Sequence, residues 1–557
     1  ESYTALTGKR SQCTNIANEV TATYVNSSGN ILNSIIRVYN DGIAIRYEVK
    51  DIPANDKIIA DNTTYTVASG TPRWMQEYDR QGYEHFYPLN NNGVNPDKPQ
   101  DKTWGFPALF KSGEDSWMLL TESDIRRGDC GSWLTNETSA DTYKQHLADF
   151  ILNNTTPWRI AIIGELADVV ESTLVTDVAT PCKLNDTSWI EPGIASWIYW
   201  AYNHGSNDYQ IVKEYIDMAA QLKLPYMLID AEWDEMSNGG TIEDALNYAK
   251  EKGVKPLIWY NSTTAWIDWA PGPKYRLNDP EKREAEFQWC EDHGVAGVKI
   301  DFFQGDRETT MNYCIDLLES AARHHLLVNF HGATIPRGWM RTYPNLVSTE
   351  AVYGAEWYNN LPILTDRAAA HNATLPFTRN VIGSMDYTPC TFTDSQHPHI
   401  TTHAHELALT VLFESGLQHL ADRPSSYLSQ PQEVQDFLST LPSVWDETRL
   451  VSGEPGHHAV MARRSGDTWY IAGINGTDEQ IELDLDLTPY VESGDKITLF
   501  QDSGLALDTS ITDPEKIASY WFIHPWPTSA QEGETLTGYQ QKVQLQPRGG
   551  YVCVIQK

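Results

Sequence analysis

Cysteine is scarce in this chain and follows no pattern. The seven cysteines, at positions 13, 130, 182, 290, 314, 390 and 553, form no CxxC pair, and an odd number cannot all be bridged within one molecule. This argues against a zinc-ribbon site and against a disulfide framework. Basic residues are also in short supply, 41 Lys and Arg against 75 Asp and Glu, for a net charge of −34. A surface of that sign repels phosphate backbones and anionic lipids, which argues against nucleic acid as a partner. No apolar run approaches the ~18 residues of a membrane span, so membrane insertion is not expected. The sequence opens at Glu1 without the basic and apolar regions of a secretion signal, and the residues themselves name no compartment.

What is present is modular. A length of 557 residues exceeds a single core and suits two to four domains. Residues 1–185 alternate apolar and polar side chains between Asn, Gly and Asp turns, as in IIRVYNDGIAIRYEV (35–49), SWMLLTES (116–123) and PWRIAIIGEL (157–166). This pattern predicts an N-terminal β-sandwich. From 186 to 449, short apolar strands alternate with amphipathic helices. The predicted strands are 196–200, 226–233, 255–261, 297–303, 326–332, 346–352, 378–384 and 417–422. Eight such units close a (β/α)8 TIM barrel. From 450 to 557 the helices stop and strands such as HHAVMARR (457–464) and WYIAGING (469–476) predict a small C-terminal β-sandwich.

A TIM barrel places its chemistry at the C-terminal ends of its strands, and here those ends are acidic. Strand two ends in Asp230-Ala231-Glu232-Trp233, strand four in Lys299-Ile300-Asp301 and strand five in Asn329-Phe330-His331; Glu350 ends strand six, with Glu356 shortly beyond. Like charges gathered at one mouth repel unless chemistry or a cation holds them, which points to glycosidic acid/base catalysis, a metal site, or both. Lys299 shares a strand face with Asp301. Asp230, Glu232, Trp233 and His331 are candidate hydroxyl-binding and stacking groups, core polar residues being the alternative for each. Trp197, Trp200, Trp259 and Trp266 suit either the mouth or the core. His403 and His405 begin a predicted helix, where residues two apart diverge, so they are not read as a zinc pair.

The segments GVKIDFF, NFHGATIPRGWMRTYPNLVSTEAVYGAEW, PFTRNVIGSMDYTP and LALTVLFESGLQHLAD resemble glycoside hydrolase family 97, a group of α-glycosidases, and the likeness extends to RVYNDGIAIRYEV and LLTES. The family usually has further N-terminal strands before the segment matching GKRSQCTNIANEV, so the sandwich is expected to lack its first strands. The resemblance implies that Asp301 is the nucleophile of the retaining subgroup. Where the inverting subgroup has a Glu after the strand-five His, this chain has Gly332. It further implies Glu356 as general acid/base, Ca²⁺ as cofactor with Glu122, Glu350 and Glu356 as ligands, and Lys299 as a substrate-binding group. The expected activity is that of a retaining exo-α-galactosidase acting on an oligosaccharide or glycoside in the periplasm or outside the cell. An α-glucosidase of the same family and a non-catalytic carbohydrate-binding protein stand as alternatives, β-L-arabinopyranosides as side substrates, and oligomeric state is open.

Overall fold

A computed structural model describes residues 1–264, 269–525 and 540–557. The N-terminal region is built on an eleven-stranded antiparallel sheet running from Asn18–Val25 through Ile31–Tyr39, Gly42–Val49, Trp158–Gly164, Trp117–Ser123 and Thr103–Lys111 to Ser132–Ser139, Thr142–Leu147 and Thr64–Thr66. Its core holds Trp104, Leu109, Phe110, Leu119, Tyr143 and Ile160, and these belong to one continuous apolar cluster with the barrel interior. The two regions therefore share a core. The C-terminal region is a six-stranded antiparallel sheet covered by the ribbon of Ile481–Asp486 and Gln540–Leu545, with Ile471, Leu485, Val543 and Cys553 packed between them.

Between these regions, seven parallel strands pair in the order Leu346–Thr349, Leu327–Phe330, Gly297–Asp301, Lys255–Asn261, Tyr226–Ile229, Gly193–Trp197 and Leu417–Leu420. Helix starts follow local chemistry. Asp208 caps Tyr209–Gln221, Thr241 and Asp244 form a reciprocal capping box on Ile242–Glu251, and Asp279 precedes Pro280 at the start of Pro280–Asp292.

One predicted strand is absent as such. Residues 378–384 contain the 3₁₀ turn Arg379–Ile382, and the barrel closes there only through a single parallel bridge between Thr349 and Met385. The cause is Arg379, fully buried, whose guanidinium donates to the carbonyls of Thr349, Glu350, Ala351, Gly383 and Ser384. It satisfies carbonyls on both sides of the gap, in 349–351 and in 383–384, that a continuous strand pairing would otherwise have to serve. The first strand also sits three residues earlier than predicted, at Gly193–Trp197, because the apolar run continues into a buried turn at Ile198 and Trp200.

The N-terminal region docks on the barrel through buried charge. Arg337, from the loop after Leu327–Phe330, donates to Glu122 Oε1 (2.7 Å) and to the Tyr83 hydroxyl (3.0 Å), and lies 3.5 Å from Asp306 Oδ1. Asp306 also accepts from the Tyr78 (3.1 Å) and Tyr83 hydroxyls. The domains approach closely enough that a Cβ on Gly131 would stand 2.7 Å from the Asp306 side chain. On the opposite side, the wholly buried helix His403–Leu412 is held at both ends by the C-terminal sheet. Asp502 accepts from Thr402 and the Ala404 amide at its start, and Arg463 donates to Val411 and Leu412 at its finish. An acid at the amino end and a cation at the carboxyl end match the helix dipole.

Removing one partner of a buried pair strands the other's charge, so Arg337→Met is expected to lower stability by about 3–5 kcal/mol. The measurement is thermal unfolding of the variant, of Glu122→Gln and of the double variant. Two single losses that simply add would show that the pair is not coupled.

Candidate active site

The strand ends deliver a layered constellation. At its floor, Asp230 Oδ2 accepts from Lys299 Nζ (2.8 Å) and Trp197 Nε1 (2.8 Å), while its Oδ1 accepts from the Ala231 amide. Burial alone would raise the pKa of Asp230, but Lys299 holds it below the usual carboxylate range. Burial alone would likewise discharge Lys299; Asp230, Asp301 and Glu356 keep it charged. Beside this pair, Asp386 Oδ2 gathers His331 Nε2 (2.6 Å), Asn329 Nδ2 (2.7 Å) and His419 Nδ1 (2.9 Å). His331 is therefore held well above an ordinary imidazole pKa, against its burial, by Glu350 and Asp386.

Above the floor stand the groups that solvent reaches. Asp301, at the end of Gly297–Asp301, accepts from Trp259 Nε1 (3.1 Å) on one oxygen and from the Phe302 amide (2.8 Å) on the other. Burial raises its pKa, and Lys299 and His331 oppose the rise. Glu356 sits on the 3₁₀ turn Ala355–Tyr358, with a pKa pushed up to about 8 by burial and then by Glu350. Beneath Asp301 lies Gly332, whose amide donates to Glu350 Oε1 (2.9 Å). Its φ is +47°, and a Cβ there would stand 2.9 Å from Asp301 Oδ1 and 3.0 Å from the Phe302 amide nitrogen. A side chain at 332 and the present carboxylate position exclude one another.

His331, Glu350 and Glu356 each bring one ligand atom to within 4.8 Å of the others. His331 Nδ1 lies 3.2 Å from Glu350 Oε2 but has no hydrogen-bond partner. A third carboxylate joins Glu350 and Glu356 from the N-terminal region. Glu84, held by Trp357 Nε1 (2.9 Å), has a pKa far above the carboxylate range through burial and through the charges of Glu350 and Glu356. Three carboxylates with too little positive charge between them suit a hard cation such as Ca²⁺.

Two expected roles are corrected. Glu122 is not at this site. It is fully buried in the domain junction, with both oxygens engaged by Arg159 (2.6 Å), Arg337 (2.7 Å) and Ser132, and two guanidinium groups leave no place for a metal ion. Glu84 is the acid that the N-terminal region contributes. Trp233 does not face the mouth either. The left-handed Glu232 (φ +72°) turns the chain, so that the indole stacks on Trp289 (5.9 Å, 7°) and donates to the Trp259 carbonyl. Glu232 itself remains on the rim, 3.9 Å from His204.

Besides Glu84, the sequence reading passed over Asp386 and Tyr199. Tyr199 stacks on Trp197 (5.3 Å, 20°), and its pKa is raised by burial and then by Glu356 and Asp230. Trp197, Trp200 and Trp259 are buried, and Trp266 lies outside the described residues.

Three family models match: Glycosyl-hydrolase 97 N-terminal over residues 1–181, Glycoside hydrolase 97 over 189–352, and Glycosyl-hydrolase 97 C-terminal, oligomerisation, over 444–556. The chain belongs to glycoside hydrolase family 97. It is a glycoside hydrolase. It is 36% identical over 457 residues to a probable retaining alpha-galactosidase of Streptomyces bingchenggensis, covering 79% of this chain and 67% of that protein. Identity with a retaining alpha-galactosidase of Bacteroides thetaiotaomicron is 26% over 527 residues, covering 84% and 77%. A solved beta-arabinopyranosidase matches all of this chain and 90% of its own, with 30% identity and a TM-score of 0.86. A family 97 enzyme of Pseudoalteromonas sp. strain K8 shares the fold at a TM-score of 0.82 and 20% identity, again over 100% of this chain and 90% of that one.

In this family 97 hydrolase, Gly332→Ala is expected to displace the Asp301 carboxylate. A shift near 1 Å costs about 100-fold in kcat/KM, and the left-handed backbone adds about 1–2 kcal/mol of strain. Steady-state kinetics together with thermal unfolding check this; parent-like kcat/KM would show that Asp301 does not depend on the glycine.

Proposed function

We propose that this enzyme removes terminal α-galactosyl units with retention, by double displacement through a covalent glycosyl-enzyme intermediate and with Ca²⁺ bound beside the sugar. The observation that carries this reading is the Asp301 carboxylate, clamped by Trp259 and the Phe302 amide over a glycine that leaves no room for a base at position 332. Asp301 attacks the anomeric carbon while Glu356 gives its proton to the departing oxygen. Glu356, now a carboxylate, takes a proton from the water that attacks the same carbon; the bond from that carbon to Asp301 breaks, the carboxylate is regenerated, and the sugar is released in its original configuration. Lys299, anchored to Asp230, and His331, anchored to Asp386, keep positive charge under the nucleophile and favour its ionised form.

Glu84, Glu350 and Glu356 are the residues that would hold the calcium ion. Bound there, the ion supplies fixed positive charge to sugar oxygens as the glycosidic bond breaks. A galactoside is favoured by both curated relatives, named retaining alpha-galactosidases, and by the Lys299-x-Asp301 strand. One observation supports a second substrate: the 30% identical structure is a beta-arabinopyranosidase, and β-L-arabinopyranosides share the galactoside ring configuration.

Proton NMR of an aryl α-galactoside in its first minutes with the enzyme is expected to show α-galactose before mutarotation. β-Galactose appearing first would mean direct attack by water and would sink the role of Asp301. Parallel rates on aryl α-glucoside and β-L-arabinopyranoside decide the sugar.

Stripping divalent ions with EDTA is expected to lower kcat/KM by about tenfold or more, with Ca²⁺ restoring it better than Mg²⁺. Full activity in the ion-free enzyme would remove calcium from the mechanism.

A further inference from the structure

The strand Ser132–Ser139 uses its two faces differently. Leu134 and Asn136 turn into the N-terminal core together with Tyr143, Gln145 and Leu147 of the paired strand Thr142–Leu147. Trp133, Thr135 and Glu137 alternate with them and point the other way, alongside the exposed His146. This second face is roofed by Thr263, Thr264 and Asn278, which follow Lys255–Asn261, and by Gln304, Gly305 and Arg307, which follow Gly297–Asp301. Between roof and sheet lies a groove of about 940 Å³, at the upper end of the range for ligand sites.

The walls of the groove have two chemistries. Trp133, buried, is sandwiched between its cross-strand neighbour His146 (4.5 Å, 18°) and Tyr78 (4.2 Å, 18°), so its own faces are covered and the two outer rings are what one wall can offer. The other offers hydroxyls and amides from Thr263, Thr309, Asn278 and Gln304. Charge is mixed, with Arg80 and Glu137 both on the rim and Arg307 matched by Asp149 at 3.4 Å. The outer faces of His146 and Tyr78, with neutral hydrogen-bonding groups opposite, suit an uncharged sugar chain, whose rings are apolar on the face and polar at the edge.

The groove and the acid cluster are built partly from the same two segments of chain. Thr264, in its lining, donates to the carbonyl of Phe302, the residue after Asp301. Tyr78 and Arg80, also in its lining, begin the segment that ends at Glu84.

We propose that this groove binds the leaving-group side of the substrate, a neutral oligosaccharide running outward from the scissile bond. The inference rests on the exo-galactosidase reading and adds to it a preference for chain length. Binding energy gathered there, away from the reacting carbon, positions the glycosidic oxygen for protonation.

The test compares the parent, His146→Ala and Thr135→Trp on an aryl α-galactoside and on galactose-terminated neutral oligosaccharides of two, three and four sugars. For the parent, kcat/KM is expected to rise with length. His146→Ala is expected to lose about tenfold on the tetrasaccharide, the size of one lost ring contact, and Thr135→Trp, whose indole fills the groove, at least as much, while the aryl substrate stays within about twofold. Equal losses on both substrates, or none on the tetrasaccharide, overturn the groove. If the parent cleaves no galactoside, the functional reading has failed by itself. The groove is then decided by calorimetric titration with the galactose-free trisaccharide: binding that Thr135→Trp abolishes supports it, and absent or unchanged binding overturns it.

Discussion

The guanidinium of Arg337 is the contact on which the active site depends. It reaches from a barrel loop to Glu122 in one strand of the N-terminal sheet and to Tyr83 in a loop of the same region. Tyr83 is followed directly by Glu84. The ion pair that docks the domains thus also fixes, through one peptide unit, where a carboxylate enters the barrel mouth. Neither region forms the complete acid cluster without the other. A buried pair adds little net stability over apolar packing, but a misregistered one is costly, so its service is to specify a single docking geometry.

The mouth itself is a problem in charge placement. Asp301, Glu350, Glu356 and Glu84 crowd a site from which water is partly excluded, and three of them have raised pKa values. The structure answers with cations tethered from below. Lys299 stands on Asp230 and His331 on Asp386, so each buried positive charge is held by a buried acid and still acts upward on the groups above. Low dielectric makes both terms strong. A cation among Glu84, Glu350 and Glu356 would lower the pKa of Glu356, so the proposed acid/base role would be linked to metal occupancy.

Much of this was legible in the sequence, for identifiable reasons. Barrel strands buried on both faces read as plain apolar runs, and Asp301, Glu350 and Glu356 announced themselves as acids ending or following such runs. The misreadings share a cause, which is that the deciding partner is distant in sequence. Glu122 ends an apolar strand just as a site acid would, and its use is revealed by the two guanidinium groups of Arg159, 37 residues away, and Arg337, 215 residues away. Residues 378–384 look like a strand until Arg379 is seen to occupy the carbonyls on which a strand would pair. Trp233 looks like a stacking platform because nothing local betrays the left-handed turn at Glu232. Glu84 lies in an irregular loop where no periodicity marks one acid over another.

Gly332 shows how narrow the choice between two mechanisms is. The strand ends that carry Asp301 and His331 are neighbours in the barrel, paired through Lys299 and Asn329. Residues just beyond them compete for one small volume beside the Asp301 carboxylate. With glycine at 332, the backbone takes a left-handed turn, its amide serves Glu350, and the Asp301 carboxylate moves in over the vacated Cβ position. With any side chain there, that carboxylate would have to withdraw. A carboxylate in the present position of Asp301 and a side chain at 332 are therefore alternatives by packing before any chemistry is considered, and the proposed nucleophile depends on the missing side chain.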